Sequence, residues 1–329
     1  MRDIFEIRDN FSLNADVESI LQYGNPENIK DPKVTIIVPC YNHPKYLKKA
    51  LLSAVNQDYQ EPYEIIVVDN DDSSEYTQNR KIVEEVNSPK ILYYHNKKNI
   101  GGLGNWNRGV ELARAPYVTY CHDDDMLLSN CLSILMFYQS KNGDKGIWGL
   151  RNYIDQDDHI TYKTEYKRKG IFKPKKYIHY TIKHYFNNPT GFCVGSLFSR
   201  KKMIELGGYD VEFCPISDAA FSGLYTLRHG AILPLEPTHN YRFAENDTFN
   251  VYNEISKVSK HFRKCAQKYI NCPKIILNLI TEADTSVLNY HLQLSMNPNK
   301  DSIKKPALWK LTVSRLSSLL VNLGKYTIV

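Results

Sequence analysis

The sequence predicts an α/β fold, with a mostly parallel sheet flanked by helices and a helical C-terminal tail. Apolar runs rich in β-branched residues, such as residues 34–38, are typical of strands that are buried on both faces. Amphipathic segments of helical period separate these runs, and strands that alternate with helices indicate βαβ units. From residue 256 onward the pattern is that of helices alone.

The predicted elements follow a polar lead-in, in which residues 16–22 suggest a short helix. Strands are predicted at residues 34–38, 64–68, 91–94 and 118–121, and helices at residues 44–57, 75–86 and 104–113. In the first of these helices Leu47 and Leu51 share one face, and Pro44 stands near the start, where proline is favoured. Ser129 is predicted to cap the N-terminus of a further helix.

The composition is that of a globular protein, with 42% hydrophobic residues and a formal net charge of +6 over 329 residues. Its seven cysteines are odd in number and show no C-x-x-C spacing, which favours reduced thiols over a disulfide framework or a zinc site. The N-terminus is unlike a signal peptide, and no apolar run has the length of a membrane-spanning helix. We therefore expect a cytoplasmic protein, soluble or at most peripheral at the inner face of the cell membrane.

Three polar loops follow predicted strands, at residues 39–43, 69–74 and 122–125. The third contains consecutive carboxylates, whose mutual repulsion a divalent cation such as Mg²⁺ or Mn²⁺ commonly offsets. Alone, such an acidic triplet is more often a solvated turn. Because ligands of parallel sheets bind beyond the carboxyl ends of the strands, the three loops together predict a binding site.

A basic segment covers residues 161–202, which contain eleven Lys and Arg residues and one acidic residue, Glu165. This segment is either a contact for phosphate-bearing partners or a solvated basic loop. The sequence shows no motif of a nucleic-acid-binding protein, so nucleic acid is not expected as a partner.

Five sequence elements, in order, match those of a known family: residues 34–42, 64–70, 99–110, 117–125 and 207–221. Through them the chain resembles, over roughly residues 33–250, the inverting family 2 glycosyltransferases of the Rossmann-like GT-A fold, of the bacterial surface-polysaccharide type. The resemblance implies a lead-in, a nucleotide-sugar-binding half, an acceptor-binding and catalytic half of the same domain, and a helical extension. Their expected bounds are residues 1–32, 33–148, 149–255 and 256–329.

The resemblance also implies site residues. Asp218 would be the catalytic general base, and Asp124 the primary ligand of Mn²⁺ or Mg²⁺, with Asp123 and Asp125 beside it. Donor binding is expected from Pro39, Tyr41, Asn42, Asp69, Asn70, Asn99, Gly101, Asn107 and Asp123.

The chain departs from the family's pattern at several positions. His122, Asn70, Trp106 and Ser217 stand where Asp, Asp, Arg and Glu are common in the family. No histidine follows residues 241–242 at the spacing of a third metal ligand. His239 is a candidate for that role, and a structural histidine is the alternative.

The expected function is inverting, metal-dependent transfer of a sugar from a nucleotide-sugar donor to a saccharide acceptor. We expect the donor to be UDP-linked. For this type of enzyme the acceptor would be a lipid-linked glycan of capsule or other surface-polysaccharide synthesis. The Q-x-x-R-W motif of processive synthases is absent from the sequence, which favours one addition per encounter. The alternatives are a non-catalytic nucleotide- or sugar-binding relative and a nucleotidyltransferase.

Residues 303–325 predict a basic amphipathic helix. Its apolar face comprises Trp309, Val313, Leu316, Leu320 and Leu323, and its cations are Lys304, Lys305, Lys310, Arg315 and Lys325. Such a helix can lie on an anionic membrane surface. Packing onto the catalytic domain and a dimer contact are the alternatives.

Overall fold

The computed structural model describes residues 1–74, 76–167, 172–242, 252–296, 303–323 and 326–328. The α-helices in this part of the chain are α1 Pro44–Val55, α2 Gln78–Val86, α3 Gly102–Leu112, α4 Cys131–Asn142, α5 Ile182–Asn187, α6 Arg200–Glu205, α7 Ser217–His229, α8 Tyr252–Ala266, α9 Lys274–Met296 and α10 Leu308–Leu323. The strands are β1 Ser19–Tyr23, β2 Val34–Cys40, β3 Tyr63–Asp69, β4 Ile91–Asn96, β5 Tyr117–Tyr120, β6 Met126–Leu127, β7 Gly146–Ile147, β8 Leu150–Ile154, β9 Ile160–Tyr162, β10 Phe172–Pro174, β11 Tyr177–Tyr180, β12 Phe198–Ser199, β13 Ala231–Pro234, β14 Pro237–Arg242 and β15 Tyr326–Ile328.

A six-stranded sheet in the order β1-β4-β3-β2-β5-β12 carries the fold. Its four inner strands are parallel and its two edge strands are antiparallel. Every residue of β2 and β3 is buried, which explains why their sequences are mainly apolar, with Thr35, Glu64 and Asp69 as buried polar members. The chain proceeds from β2 through β3 to β4 and then returns to β5 on the other side of β2. This reversal of strand order opens a crevice at the carboxyl ends of β2 and β5.

The helix predicted within the lead-in is absent from the structure. Residues 16–22 do not form a helix, because Ser19–Tyr23 pair with β4 as an antiparallel strand. Without this partner β4 would expose a row of unpaired backbone groups, and the pairing outweighs local helical preference. Arg108 of α3 fixes the segment by donating to the carbonyl oxygens of Asn14 at 2.8 Å and Val17 at 2.7 Å.

Two helix starts also differ from the sequence prediction. The N-cap of α4 is Asn130 and not Ser129, whose carbonyl oxygen accepts the N–H of Asp58. The helix predicted at residues 75–86 begins after Thr77, because the Thr77 hydroxyl oxygen accepts the N–H of Arg80 at 3.1 Å and caps the helix there.

Three smaller sheets within the described residues have the orders β6-β14-β8-β9, β11-β13-β7 and β10-β15, and all their strands except β6 and β7 come from after residue 148. Pairing of β14 with β6 brings the end of β14 beside the loop after β5. The predicted helical tail is confirmed, with α9 packed between α8 and α10. Within the described residues, no helix combines the length and the apolar character needed to cross a lipid bilayer.

Helix α3 lies close against the sheet because Gly109 has no side chain. A Cβ atom built at Gly109 would overlap the side chain of Ile37 in β2. Gly102, in the first turn of the same helix, faces open space.

We expect Gly109→Ala to lower the free energy of unfolding by about 1–3 kcal/mol, since the added methyl group overpacks the contact with Ile37. Urea denaturation measures this loss. Gly102→Ala adds the same methyl group to the same helix without an overlap, and serves as the matched control. Equal unfolding free energies for the two variants would contradict the close packing of α3 on β2.

Candidate active site

A cleft of about 1080 Å³ opens at the carboxyl ends of β2 and β5. Its walls come from the loops after these strands, the start of α3, residues 189–191 and the start of α7. Nine of the predicted site residues line it: Pro39, Tyr41, Asn42, Asn70, Asn99, Gly101, Asp123, Asp124 and Asp218. The other three, Asp69, Asn107 and Asp125, are buried outside its lining.

The loop after β5 gathers groups that could hold a metal ion. One ligand atom each from His122, Asp124 and Asp125 lies within 4.8 Å of the others. We call these three residues the acidic group. Asp123 lies outside it, with its Oδ1 atom 3.9 Å from Nδ1 of His43. The histidine that departs from the family's pattern is therefore part of the candidate metal site.

Arg242, at the end of β14, holds the acidic group in place. Its backbone N–H donates to Oδ1 of Asp125 at 2.9 Å, and its Nε donates to the carbonyl oxygen of Asp124 at 2.9 Å. The guanidinium carbon lies 3.9 Å from the ring centroid of Tyr46, and Nη2 lies 2.6 Å from Oδ1 of Asp158. The Arg242 side chain is only 1% exposed. The hydrogen bond from its backbone N–H and the charge of Arg151 both oppose the rise that burial causes in the pKa of Asp125.

Burial controls protonation in the acidic group. It raises the pKa of Asp124 and, more strongly, that of Asp125, and neighbouring carboxylates raise both further. Burial lowers the pKa of His122 against the opposing charge of the carboxylates. The Oδ2 atom of Asp125 is buried and has no hydrogen-bonding partner among the described residues. An unpartnered carboxylate oxygen beside a second carboxylate fits a site for a hard cation.

Asp218 lies in the first turn of α7, where the helix dipole favours a negative charge. Its Oδ1 atom accepts the N–H of Ala219 at 2.8 Å. Burial raises the pKa of Asp218, while this hydrogen bond and the charges of Arg151 and His122 oppose the rise. A Cβ atom at Gly191 would overlap the carboxylate, so the absence of a side chain there allows the backbone to approach Asp218 closely.

Asparagine side chains form another part of the cleft. Nδ2 of Asn70 donates to Oδ1 of Asn99 at 2.8 Å, and Oδ1 of Asn70 accepts from Nδ2 of Asn96 at 3.1 Å. Gly101 follows with a φ of +75°, which side chains of L-residues rarely adopt. Tyr41 is 52% exposed and lines the same cleft, so its ring is available for stacking.

Two predicted donor-binding residues are engaged in the protein framework. Asp69 accepts from the hydroxyl groups of Thr77 at 2.7 Å and Tyr93 at 2.6 Å. Asn107 donates to the carbonyl oxygen of Tyr209 at 2.9 Å and accepts the Tyr209 N–H at 2.8 Å. Neither side chain lines the cleft, and each is the sequence neighbour of a residue that does, Asn70 and Trp106.

Sequence reasoning missed two arginines at this site. Arg151 of β8 lines the cleft, with its guanidinium carbon 5.2 Å from the ring centroid of Tyr241. No local motif marks Arg151 or Arg242, because the pairing of β8 with β14 brings them to the site. Trp106, noted only as a departure, packs on His122 with ring centroids 4.6 Å apart.

The remaining predictions for the site concern histidine and the basic segment. His239 is buried in β14, where burial lowers its pKa well below the usual range, and it lies outside the acidic group. The described lysines and arginines of residues 161–202 also lie outside the cleft lining. Arg168 and Lys169 of that segment fall outside the described residues.

Comparison with known proteins identifies the family. Residues 35–207, more than half of the chain, match the model of glycosyl transferase family 2. A GalNAc(5)-diNAcBac-PP-undecaprenol beta-1,3-glucosyltransferase of Campylobacter jejuni is 35% identical over 143 residues, which cover 43% of this chain and 44% of that protein. A putative colanic acid biosynthesis glycosyl transferase of Escherichia coli is 32% identical over 151 residues, 44% of this chain and 53% of that protein. The chain thus spans about half the length of these curated relatives.

Solved structures share the fold. TarS of S. aureus in complex with UDP-GlcNAc superposes with a TM-score of 0.53 at 14% identity, covering 87% of this chain and 88% of that one. A mannosyltransferase of Pyrobaculum calidifontis in complex with GDP-Man and Mn²⁺ gives a TM-score of 0.55 at 14% identity, covering 92% and 79%. These likenesses confirm the predicted GT-A fold. The chain belongs to glycosyl transferase family 2.

Proposed function

We propose that the protein is an inverting, metal-dependent, non-processive glycosyltransferase that moves a sugar from a UDP-linked donor to a saccharide acceptor. One observation carries this proposal: Asp218 and Asp124, a member of the acidic group, line the same cleft. Direct displacement at the anomeric carbon requires both a stabilised leaving group and a base for the acceptor hydroxyl. The cleft offers one candidate for each task.

The acidic group is proposed to hold Mn²⁺ or Mg²⁺. Its two carboxylates supply the oxygen ligands that these ions prefer, and the unpartnered Oδ2 atom of Asp125 supports the fit. A bound ion would offset the negative charge that develops on the leaving diphosphate. Asp123 lines the cleft beside this group and is assigned to the donor.

Asp218 is proposed to accept the proton of the attacking hydroxyl. The cleft gives the acceptor access to its carboxylate, and Gly191 limits the positions that the carboxylate can take. Its raised pKa makes it a stronger base than an exposed aspartate.

The donor is proposed to lie along the loops after β2, β3 and β4. Tyr41 would stack on the base, with Asn70 and Asn99 offering amide groups to its edge. Pro39, Asn42 and Gly101 would complete the donor contacts. Asp69 and Asn107 would act indirectly, by positioning these walls through the hydrogen bonds described above.

The acceptor is proposed to be a lipid-linked saccharide of surface-polysaccharide synthesis. The Campylobacter jejuni relative is named for a GalNAc(5)-diNAcBac-PP-undecaprenol substrate, and the Escherichia coli relative for colanic acid biosynthesis. In this scheme residues 1–32 complete the sheet and residues 33–148 bind the donor. Residues 149–255 carry the base and bind the acceptor, and residues 256–329 form the helical extension.

Helix α10 is proposed to contact the membrane that would hold such an acceptor. Trp309, Leu316 and Leu320 of its predicted apolar face are 46%, 56% and 73% exposed. The cations Lys304 and Arg315 are exposed nearby in sequence, so an anionic lipid surface complements the helix. Val313 is partly buried, whereas the side chain of Leu323 and all of Lys325 fall outside the described part of the chain.

We expect UDP to raise the melting temperature in the presence of Mn²⁺, and Asp124→Asn to abolish the Mn²⁺-dependent part of that rise. Ligand at a hundredfold excess over its dissociation constant stabilises a protein by about 2.7 kcal/mol. Thermal-shift titrations with UDP and Mn²⁺, together and separately, measure the effect. Asp157→Asn, in the exposed cluster Asp155, Asp157 and His159, is the matched control and should respond like the wild type. A full Mn²⁺-dependent shift in Asp124→Asn would argue against the acidic group as the metal site.

We expect Asp218→Asn to lower turnover about 10²–10⁴-fold while leaving the UDP and Mn²⁺ thermal shift unchanged, because the variant loses the base and keeps the donor site. In the wild type, Asp218 takes up a proton as the pH falls through its raised pKa. An exposed aspartate titrates near pH 4, so the acid limb of the pH profile of kcat/KM should lie at a higher pH than that. UDP release from UDP-sugars across a pH series measures both effects. Wild-type turnover in Asp218→Asn would remove this residue from the mechanism.

We expect the double variant Leu316→Ser/Leu320→Ser to lose binding to anionic vesicles without loss of folding, since both side chains are mainly exposed. Co-sedimentation with vesicles containing phosphatidylglycerol, compared with neutral phosphatidylcholine vesicles, measures the loss. Val211→Ser removes a 62% exposed apolar side chain outside α10 and is the control. Equal sedimentation of the double variant and the wild type would rule out α10 as the contact.

A further inference from the structure

A second cleft, of about 550 Å³, lies between β8, the segment around α5 and the C-terminal helices. Its volume falls within the roughly 300–1,000 Å³ typical of small-molecule sites. Arg151 and Thr190 line both this cleft and the active-site cleft, so the two clefts adjoin at these residues. A ligand in the second cleft would therefore lie next to the cleft that Asp218 lines.

Two buried charged residues line the second cleft with unpartnered atoms. Arg263 of α8 is 2% exposed, and its Nε and Nη2 atoms donate to the carbonyl oxygens of Phe186 at 2.9 Å and Asn187 at 3.0 Å. Its Nη1 atom has no hydrogen-bonding partner among the described residues. Asp284 of α9 is 4% exposed, and in the same part of the chain neither of its carboxylate oxygens makes a hydrogen bond of normal geometry, although Ser314 and the charge of Arg263 are near enough to lower its pKa against burial.

Leaving such groups without hydrogen bonds costs stability. Burial raises the pKa of Asp284 to about 6 and lowers the pKa of Arg263 to about 10. Both shifts favour the uncharged form, because the buried charges are poorly solvated. Folds retain unfavourable groups of this kind mainly where a ligand uses them. The cleft therefore offers a fixed donor and a fixed acceptor to an incoming molecule.

The charges of Arg263 and Asp284 are of opposite sign, so this pair gives little net attraction for a polyanion such as a diphosphate, and the remaining cation, Arg151, lies where the cleft adjoins the active-site cleft. A hydroxyl group, in contrast, can accept from the guanidinium and donate to the carboxylate. The pair therefore suits a neutral ligand rich in hydroxyl groups.

Tyrosines supply much of the remaining wall. Tyr153, Tyr162, Tyr166 and Tyr180 line the cleft, and the ring of Tyr180 stacks on His184 with centroids 4.5 Å apart. Tyr162 is 61% exposed at the surface. Aromatic faces beside a few fixed polar groups fit sugar rings, which present apolar C–H faces and polar hydroxyl edges.

We propose that the second cleft is the acceptor subsite, and that Arg263 and Asp284 bind hydroxyl groups of a neutral oligosaccharide whose terminal sugar reaches Asp218. The inference rests on the proposed glycosyl transfer. It assigns the helical extension a direct part in acceptor binding, because α8 and α9 carry the two binding residues.

The test uses the full chain with UDP and Mn²⁺ present, and a panel of neutral trisaccharides that includes chitotriose, maltotriose and cellotriose. Saturation-transfer NMR detects binding, and titration gives the dissociation constants. We expect at least one trisaccharide to bind, and Asp284→Asn to weaken its binding about tenfold or more, the loss typical of a hydrogen bond to a charged group. Tyr162→Ala, at the exposed edge of the cleft, should also weaken binding. Glu282→Gln, on α9 with a side chain 49% exposed, is the matched control and should change nothing.

A folding defect would be visible separately. The ionised form of Asp284 is disfavoured by folding because its pKa is raised, so near pH 7 Asp284→Asn should melt no lower than the wild type. Trisaccharide affinity unchanged in both Asp284→Asn and Tyr162→Ala, or no binding by any trisaccharide while UDP binds normally, would overturn the acceptor subsite alone. Failure of UDP itself to bind would instead overturn the proposed function.

Discussion

The buried guanidinium of Arg242 is the interaction on which the active-site cleft depends. Carboxylates at adjacent positions repel one another, and burial makes that repulsion stronger. Arg242 holds the loop in place from a strand more than a hundred residues away in the chain: its backbone N–H donates to Asp125, its Nε donates to the carbonyl oxygen of Asp124, and its guanidinium packs on the ring of Tyr46. One residue thereby joins α1, the loop after β5 and the sheet that contains β14. These contacts fix the backbone of the loop while its carboxylates stay close together.

The sequence predicted the inner sheet well because burial on both faces leaves a local signature. The strands at residues 34–38 and 64–68 are apolar apart from Thr35 and Glu64, and the structure contains both. Residues 16–22 carry no such signature, because β1 is an edge strand that is only partly buried and gains its conformation from β4. Nine of the twelve predicted site residues line the cleft, since family motifs mark the loops that form it. Arg151 and Arg242 were not predictable in this way, because their positions follow from pairing between distant strands.

The second cleft is built partly from the region that matches the family and partly from the chain beyond it. Arg151 and the four tyrosines of its wall lie within residues 35–207, whereas Arg263 and Asp284 come from helices that follow the family match. The shared part of the fold thus supplies one wall, and the helical extension supplies the two buried charges opposite. Such a division is consistent with function residing in sites placed on a shared fold.

Trp106, which packs on His122, is one of three tryptophans that can serve as intrinsic fluorescent probes. The three tryptophans occupy three different environments: Trp106 lines the active-site cleft, Trp148 is fully buried against Phe192, and Trp309 is half-exposed on α10. Indole emission depends on local polarity and on nearby imidazole, so each region carries its own fluorophore. Variants that keep one tryptophan at a time would separate events at the catalytic loop from events in the core and at the C-terminal helix, with no label attached to the protein.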